Sequence, residues 1–262
     1  MKDEELYDFL EAKYRQYNNE NFIEHDPISI PKNFRLKQDI EISAFIIATI
    51  SWGNRKSIIK NGLKLMQLMG YNPYDFVMDY GPKQARLLKQ KAFVHRTFNS
   101  SDLHYFLTTL KHIYSKHHSL EEFFVQHLNQ NDKNLKVAIN QFSDTFCSYN
   151  CPARTSKHLA RPLKNSAAKR INMFLRWMVR KDKAKIDFGI WKQISPAVLS
   201  IPLDVHSGRI ARMLGLLQRK QNDWTAVEEL DDKLRIFDSL DPVKYDYALF
   251  GIGAFEPDFI KK

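Results

Sequence analysis

The chain has 262 residues, with 40 Lys and Arg against 30 Asp and Glu, a formal net charge of +10. Hydrophobic residues make up 44%, too many for a disordered chain, and only 9 Gly and 10 Pro suit a helical protein better than a turn-rich β protein. No apolar run is long enough to span a bilayer, and the acidic start Met1-Lys2-Asp3-Glu4-Glu5 is unlike a secretion signal, so the expected location is cytoplasmic, without a membrane partner.

The two cysteines, Cys147 and Cys151, are too few for a disulfide framework or a complete cysteine cluster site and are expected to be reduced. The charge is unevenly placed. Between Cys151 and Lys185 stand eleven basic residues and a single acid, Asp182, so this segment carries the whole net charge and the rest sums to zero. A neutral body with one basic stretch points to a face that binds a polyanion, with nucleic acid favoured over a merely solvated helix face.

Taken in order, residues 3–17 read as an amphipathic helix with Leu6, Phe9, Leu10 and Tyr14 on one face. An Asn-rich polar linker follows, to about Pro31. The almost wholly apolar run at 38–50 predicts a buried central helix. It stops at Ser51-Trp52-Gly53-Asn54-Arg55, a place for an exposed functional loop, and a helix resumes over 56–69. Shorter helical patterns cover 73–79, 82–91, 101–116 and 119–128, with Phe93–Phe98 as a connector and Ser101 as an N-cap. His104, His112, His117, His118 and His127 do not match a zinc-binding spacing and read as solvated. No metal site is expected. Another helix covers 133–149.

The basic stretch then predicts a helix over 166–180, with Ala167, Ile171, Phe174, Leu175 and Met178 on its apolar side. A connection over 183–199 includes a short helix around 188–193. Residues 204–217 form the next helix, with Ile210, Met213, Leu214 and Leu217 at helical spacing, and 224–238 and 242–250 complete the set. Val-Ile alternation is absent, so the predicted class is all-α. Phe250-Gly251-Ile252-Gly253 is too short for a dinucleotide fingerprint and reads as close helix packing.

Two residues carry candidate chemistry. Asp204 follows Pro202-Leu203 and opens a helix, where a carboxylate accepts backbone N–H groups and the helix dipole favours negative charge. Taken alone, an ordinary cap is the commoner explanation. Lys169 lies among Arg161, Lys164 and Arg170 beside an apolar helix face. A lysine must be desolvated or set among other cations to act as a nucleophile, whereas most lysines are simply solvated.

Together, Leu163-Lys164-Asn165-Ser166-Ala167-Ala168-Lys169 and Leu203-Asp204-Val205-His206, with Arg209 and Arg212-Met213-Leu214-Gly215, resemble the helix-hairpin-helix DNA glycosylase superfamily. The resemblance runs from about Gln38 to Phe255. It implies a helical glycosylase-like unit over 1–262, with two helical subdomains flanking a cleft, an N-terminal helix and linker at 1–37, and a hairpin and catalytic region at 161–217. It departs from the family pattern at Asn165 and Ala167, where the hairpin normally has two glycines. The Lys169–Asp204 interval is closer to the archaeal 8-oxoguanine glycosylase branch than to most members. No cysteine follows Cys151, so the iron–sulfur loop of some members is absent and no cofactor is expected. The nearest relatives implied are a bacterial branch without an assigned function.

The resemblance implies a base-excision DNA glycosylase with AP lyase activity on damaged double-stranded DNA, nucleoid-associated and without an obligate protein partner. Lys169 would be the nucleophile and Asp204 its acidic partner. Arg161, Lys164, Asn165, Ser166, Arg170, His206 and Arg209 would contact DNA. Trp52 and Asn54 would fill the gap left by an extruded base, and Trp177, Phe250 and Phe255 are candidate stacking walls, although buried aromatics are more often core. A catalytically silent DNA-binding member of the same fold is one alternative. A helical RNA-binding or scaffold protein, with Asp204 only a cap, is another.

Overall fold

The computed structural model describes residues 2–24, 26–129 and 132–259. These form α1 (Asp3–Tyr17), α2 (Asn21–Glu24), α3 (Lys37–Ile50), α4 (Arg55–Leu68), α5 (Pro73–Met78), α6 (Pro82–Lys91), α7 (Ser100–Tyr114), α8 (Leu120–Val125), α9 (Lys136–Cys147), α10 (Ala153–Ser156), α11 (Lys169–Val179), α12 (Val205–Met213), α13 (Trp224–Phe237) and α14 (Asp246–Phe255). Among the described residues the only sheet is an antiparallel hairpin, β1 (Val94–His95) with β2 (Phe98–Asn99), which overlaps the expected 93–98 connector and runs one residue past it. The protein is predominantly helical, and no described helix is long and apolar enough to cross a membrane.

The chain divides into two compact units. One holds His25–Leu128 and Ala138–Ala160 and is built on α3, which is buried from Ile40 to Ile50. Such a helix is apolar all round because other elements cover it. Phe45 meets Phe106, Phe142 and Phe146 at centroid distances of 5.7, 5.7 and 5.5 Å. The acid in this helix, Glu41, is fully buried and accepts hydrogen bonds from the Tyr114 hydroxyl and the Leu120 N–H, both at 2.9 Å. It thereby satisfies a donor that the start of α8 would otherwise leave without a partner. The expected polar linker before α3 is in fact partly core. Short 3₁₀ turns at Pro27–Ser29 and Pro31–Asn33 bury Ile28 and Ile30, apolar residues that an Asn-rich average conceals.

The other unit holds Met1–Glu24, Asn129–Val137 and Arg161–Lys262. Here α14 packs against α1 and α12. A Cβ at Gly253 would come within 3.0 Å of the His206 backbone carbonyl, so glycine is what lets α14 approach α12 closely, as the sequence led us to expect. The helix expected over 204–217 stops at Met213. Gly215 is left-handed at φ +75°, and the Gly215 N–H donates to Arg212 O while the Leu216 N–H donates to Ala211 O, at 3.1 and 2.9 Å. That is a Schellman ending, which glycine permits without a Cβ penalty.

The segment 188–193 is not helical. The Phe188 and Trp191 N–H groups donate to Trp177 O and Met178 O, at 2.8 and 2.9 Å. The segment therefore satisfies carbonyls at the end of α11 instead of its own, and Trp191 is buried edge-on to Phe174.

Candidate active site

Asp204 is the N-cap of α12, in extended backbone. Its Oδ1 accepts hydrogen bonds from the His206 and Ser207 N–H groups, at 2.8 and 2.9 Å. The Ser207 hydroxyl accepts the Asp204 N–H in return, at 2.9 Å, which closes the capping box. The cap thus uses one carboxylate oxygen. The other, Oδ2, lies 3.4 Å from Lys169 Nζ. The Lys169 side chain is 34% exposed and that of Asp204 12%, so the pair sits at the rim of the fold.

Lys169 is the first residue of α11, not an interior one. The helix begins three residues later than expected because the chain first makes a tight turn. A 3₁₀ turn at Pro162–Lys164 leads to Asn165 at φ 63°, and Ala168 follows at φ 52°. Both are left-handed, a conformation that Asn tolerates and Ala adopts only under constraint. The second special position is therefore Ala168, not Ala167. The turn is tied to the start of α13. Asn165 Nδ2 donates to Asp223 Oδ2 at 3.0 Å, the Thr225 N–H and hydroxyl donate to Asn165 Oδ1, and Ser166 bridges to Asp223. Placed at the first position of α11, Lys169 stands at the positive dipole end of a helix, which favours anions.

Behind the pair lies a buried ion cluster that sequence reasoning missed. Arg176 Nη1 binds Asp246 Oδ2, and Arg176 Nε reaches Asp187 Oδ1 at 3.4 Å. Burial pushes the Asp246 carboxyl up to about 7; Arg176 opposes that shift, and Asp204 and Lys169 act on it in opposite senses. The cluster is therefore in electrostatic reach of the candidate site. Further along, Arg180 contacts Asp182, Asp187 and Asp241 at 2.8, 3.1 and 2.8 Å, and donates to the Tyr14 hydroxyl at 2.6 Å. Both guanidinium groups lie over the Tyr247 ring, at 4.4 and 5.3 Å. A signal for these acids existed: an arginine inside the apolar run Phe174-Leu175-Arg176-Trp177-Met178 must find a buried carboxylate.

Two of the eleven cations in the basic stretch are thus internal, and the surface charge of that stretch is smaller than its count. Of the expected DNA contacts, Lys164 and Ser166 are exposed and Arg161 is half-buried. Asn165 is exposed, but its side chain is occupied in holding the turn. Arg170 is half-buried, engaged within the protein, and lowered by burial to about 10. His206 and Arg209 are exposed on α12 and both reach Gly253 O, at 3.0 and 3.1 Å.

The aromatic expectations divide. Trp177 is fully buried, so it is core and cannot stack on a base. Phe250 is half-buried, edge-on to His206 at 5.9 Å. Phe255 is 48% exposed and stacked on Tyr17. In the other unit, Trp52 is half-buried, 5.2 Å from the His95 ring and 5.8 Å from the His158 ring. Asn54 is exposed, but its side chain accepts the Ser57 N–H as the cap of α4. Neither is a freely projecting wedge.

Comparison with curated proteins and with solved structures found no match. One family profile matches residues 26–255, most of the chain, including α11 and α12. The chain belongs to that family, which is described as a protein of unknown function (DUF2400).

Proposed function

We propose that this protein is a DNA-repair enzyme, a base-excision glycosylase with AP lyase activity that works through a lysine Schiff base. The observation that carries this reading is the 3.4 Å approach of Lys169 Nζ to Asp204 Oδ2, between residues 35 positions apart whose order and helix contexts resemble the helix-hairpin-helix DNA glycosylases. The capping box supports it. With Oδ1 committed to backbone N–H groups, the carboxylate is held so that Oδ2 faces the amine, the fixed geometry that a proton acceptor needs.

Exposed Lys164 and the start of α11 hold phosphates, which gives affinity without sequence information. The target nucleotide leaves the stack because its sugar carbon is unreachable inside the duplex. Asp204 Oδ2 takes a proton from Lys169, and the Nζ lone pair attacks C1′. The C1′–base bond breaks with its electrons leaving on the base, which is protonated. Opening of the C1′–O4′ bond puts a proton on O4′ and leaves an iminium at C1′. Loss of a C2′ proton then expels the 3′ phosphate and cuts the strand.

Borohydride reduction in the presence of a labelled abasic-site duplex tests this. A covalent protein–DNA adduct should form, and it should vanish in Lys169→Gln. An adduct that persists in that variant removes Lys169 as nucleophile. Salt-sensitive duplex binding without any adduct reduces the protein to a silent DNA-binding member of the fold.

A further inference from the structure

The unit built on α3 carries a second surface with its own chemistry, independent of the Lys169–Asp204 pair. Neither α4 nor α6 contains an Asp or Glu, although between them they hold eight Lys and Arg. Lys56, Lys60 and Lys64 recur every four residues and so share one face of α4. Lys91 stands at the end of α6. Among the described residues none of these four makes an ion pair. Like charges four apart on a helix repel.

The lysines border apolar ground. A groove of about 460 Å³ runs along α4 past Leu63 and Tyr71. It adjoins, at Lys64 and Gln67, a deeper cleft of about 580 Å³ reaching Leu68, Leu87, Phe93 and Val94. Of twelve exposed large hydrophobic side chains among the described residues, four line these two hollows: Leu63, Tyr71, Leu87 and Val94. Exposed apolar side chains gathered in a concavity and bordered by charge mark an interaction surface.

We propose that this cleft docks an acidic peptide segment of a partner protein, with a bulky apolar side chain seated between α4, α6 and β1 and its carboxylates on the four lysines. The lining distinguishes this occupant from a nucleic-acid strand. Bases stack on aromatic rings or guanidinium planes, whereas the deep cleft offers leucines, a valine and a largely buried Phe93. Aliphatic walls suit a leucine or phenylalanine anchor, and rim lysines suit acids that steer the encounter and fix its register.

The probe is a fluorescein-labelled peptide of Asp and Glu residues ending in Leu-Phe, read by anisotropy at low salt with the full chain. Binding should weaken about tenfold or more in Lys64→Glu with Lys91→Glu. It should weaken by about tenfold or more when Leu-Phe is replaced by Ser-Ser, since the apolar side chains that fill the cleft are then gone. Leu87→Asp should act like the peptide change. Lys64 and Lys91 are exposed, so the lysine variants should unfold no earlier than the parent, and thermal unfolding of Leu87→Asp, followed alongside, separates a lost surface from a lost fold. Equal binding of the Ser-Ser peptide would overturn the docking cleft in favour of bare charge attraction. Tighter binding of a deoxythymidine oligonucleotide that displaces the peptide would overturn it in favour of a nucleic-acid surface. Failure of the Leu-Phe peptide to bind at all would also overturn it.

Discussion

At its N-terminal end, α11 offers Lys169, a third exposed, to a single carboxylate oxygen of Asp204. Two to three turns later, Arg176 and Arg180 are almost wholly buried and share Asp182, Asp187, Asp241 and Asp246. In sequence these are three cations in one basic stretch. In the fold they do different work, and the number of partners separates them. An arginine fork satisfies several acids in a dry setting and is hard to replace there. Burial opposes the Arg180 charge, but Asp187 and Asp241 outweigh it and hold the guanidinium firmly charged. A lysine with one partner at the rim keeps donors available for something else. The proposed chemistry uses the sparsely paired end, while the densely paired end is a buried ion network.

The largest expected effect falls at the buried end. Arg180→Met takes the cation from Asp241 and leaves Asp187 only its 3.4 Å contact with Arg176, and breaking a buried pair by removing one partner costs about 3–5 kcal/mol. Denaturant unfolding should register that loss. A change below about 1 kcal/mol would mean that the two ends of α11 do not differ as described. Asp231 sharpens the same comparison from the other side, as a wholly buried acid whose one nearby cation stands at the edge of ion-pair range. Its Oδ1 accepts the Ile201 N–H at 2.9 Å, its Oδ2 has no hydrogen-bond partner, and Arg235 Nη1 stands at 3.9 Å. Burial raises its carboxyl from 3.8 to about 7. The native state then holds a proton that the unfolded chain has released, so this contribution is fully present below 3.8 and is lost as pH rises through about 7. Asp231→Asn should therefore be more stable relative to the parent at pH 8 than at pH 5, by about 2–4 kcal/mol. A difference that stays level with pH would show that Asp231 is ionised throughout.

How much of this was legible in the sequence follows from which interactions are local. The boundaries of α1 and α3 come from periodicity and burial, and the structure moves them by at most one residue. The cap at Asp204 was legible because a cap is a contact with the next three residues. The start of α11 was not, because the left-handed turn at Asn165 and Ala168 is fixed by Asp223 and Thr225, about sixty residues away. The absent helix at 188–193 has the same cause, since its N–H groups serve α11. Lys169 and Asp204 could be named, yet their distance could not. Asp246 went unnoticed because it stood inside an expected helix over 242–250, whereas the structure makes 242–245 a 3₁₀ turn, opens α14 at Asp246 and sets Arg176 against it.

A smaller effect distinguishes the two oxygens of Asp204. Asn caps a helix nearly as well as Asp, so Asp204→Asn should change stability by only a few tenths of a kcal/mol, while Asp204→Ala should lose about 1 kcal/mol. If Asp204 is only a cap, both variants should track stability alone in the borohydride assay. In the proposed chemistry the Asn variant keeps the Oδ1 bonds but cannot take a proton at the second position, so adduct formation should fall sharply with the fold intact. Normal adduct formation in Asp204→Asn would reduce this residue to its cap.

The smallest expected effect on stability, and the one that divides the ends of α11 most cleanly, is at Lys169. Its ion pair with Asp204 is partly solvated, and such pairs contribute about 0–1 kcal/mol. Lys169→Gln should therefore unfold within about 1 kcal/mol of the parent. Its pairing is too weak to explain its position structurally, since a left-handed Ala168 and a turn braced by Asn165 bring it to Asp204. Strain of that kind, about 1–3 kcal/mol per residue, persists where the surroundings over-determine it and tends to gather at functional sites. A Lys169→Gln protein that is stable but forms no adduct would fit a lysine held there for its amine. A loss as large as that of Arg180→Met would instead make the N-terminal end another structural ion pair, and the contrast between the two ends would disappear.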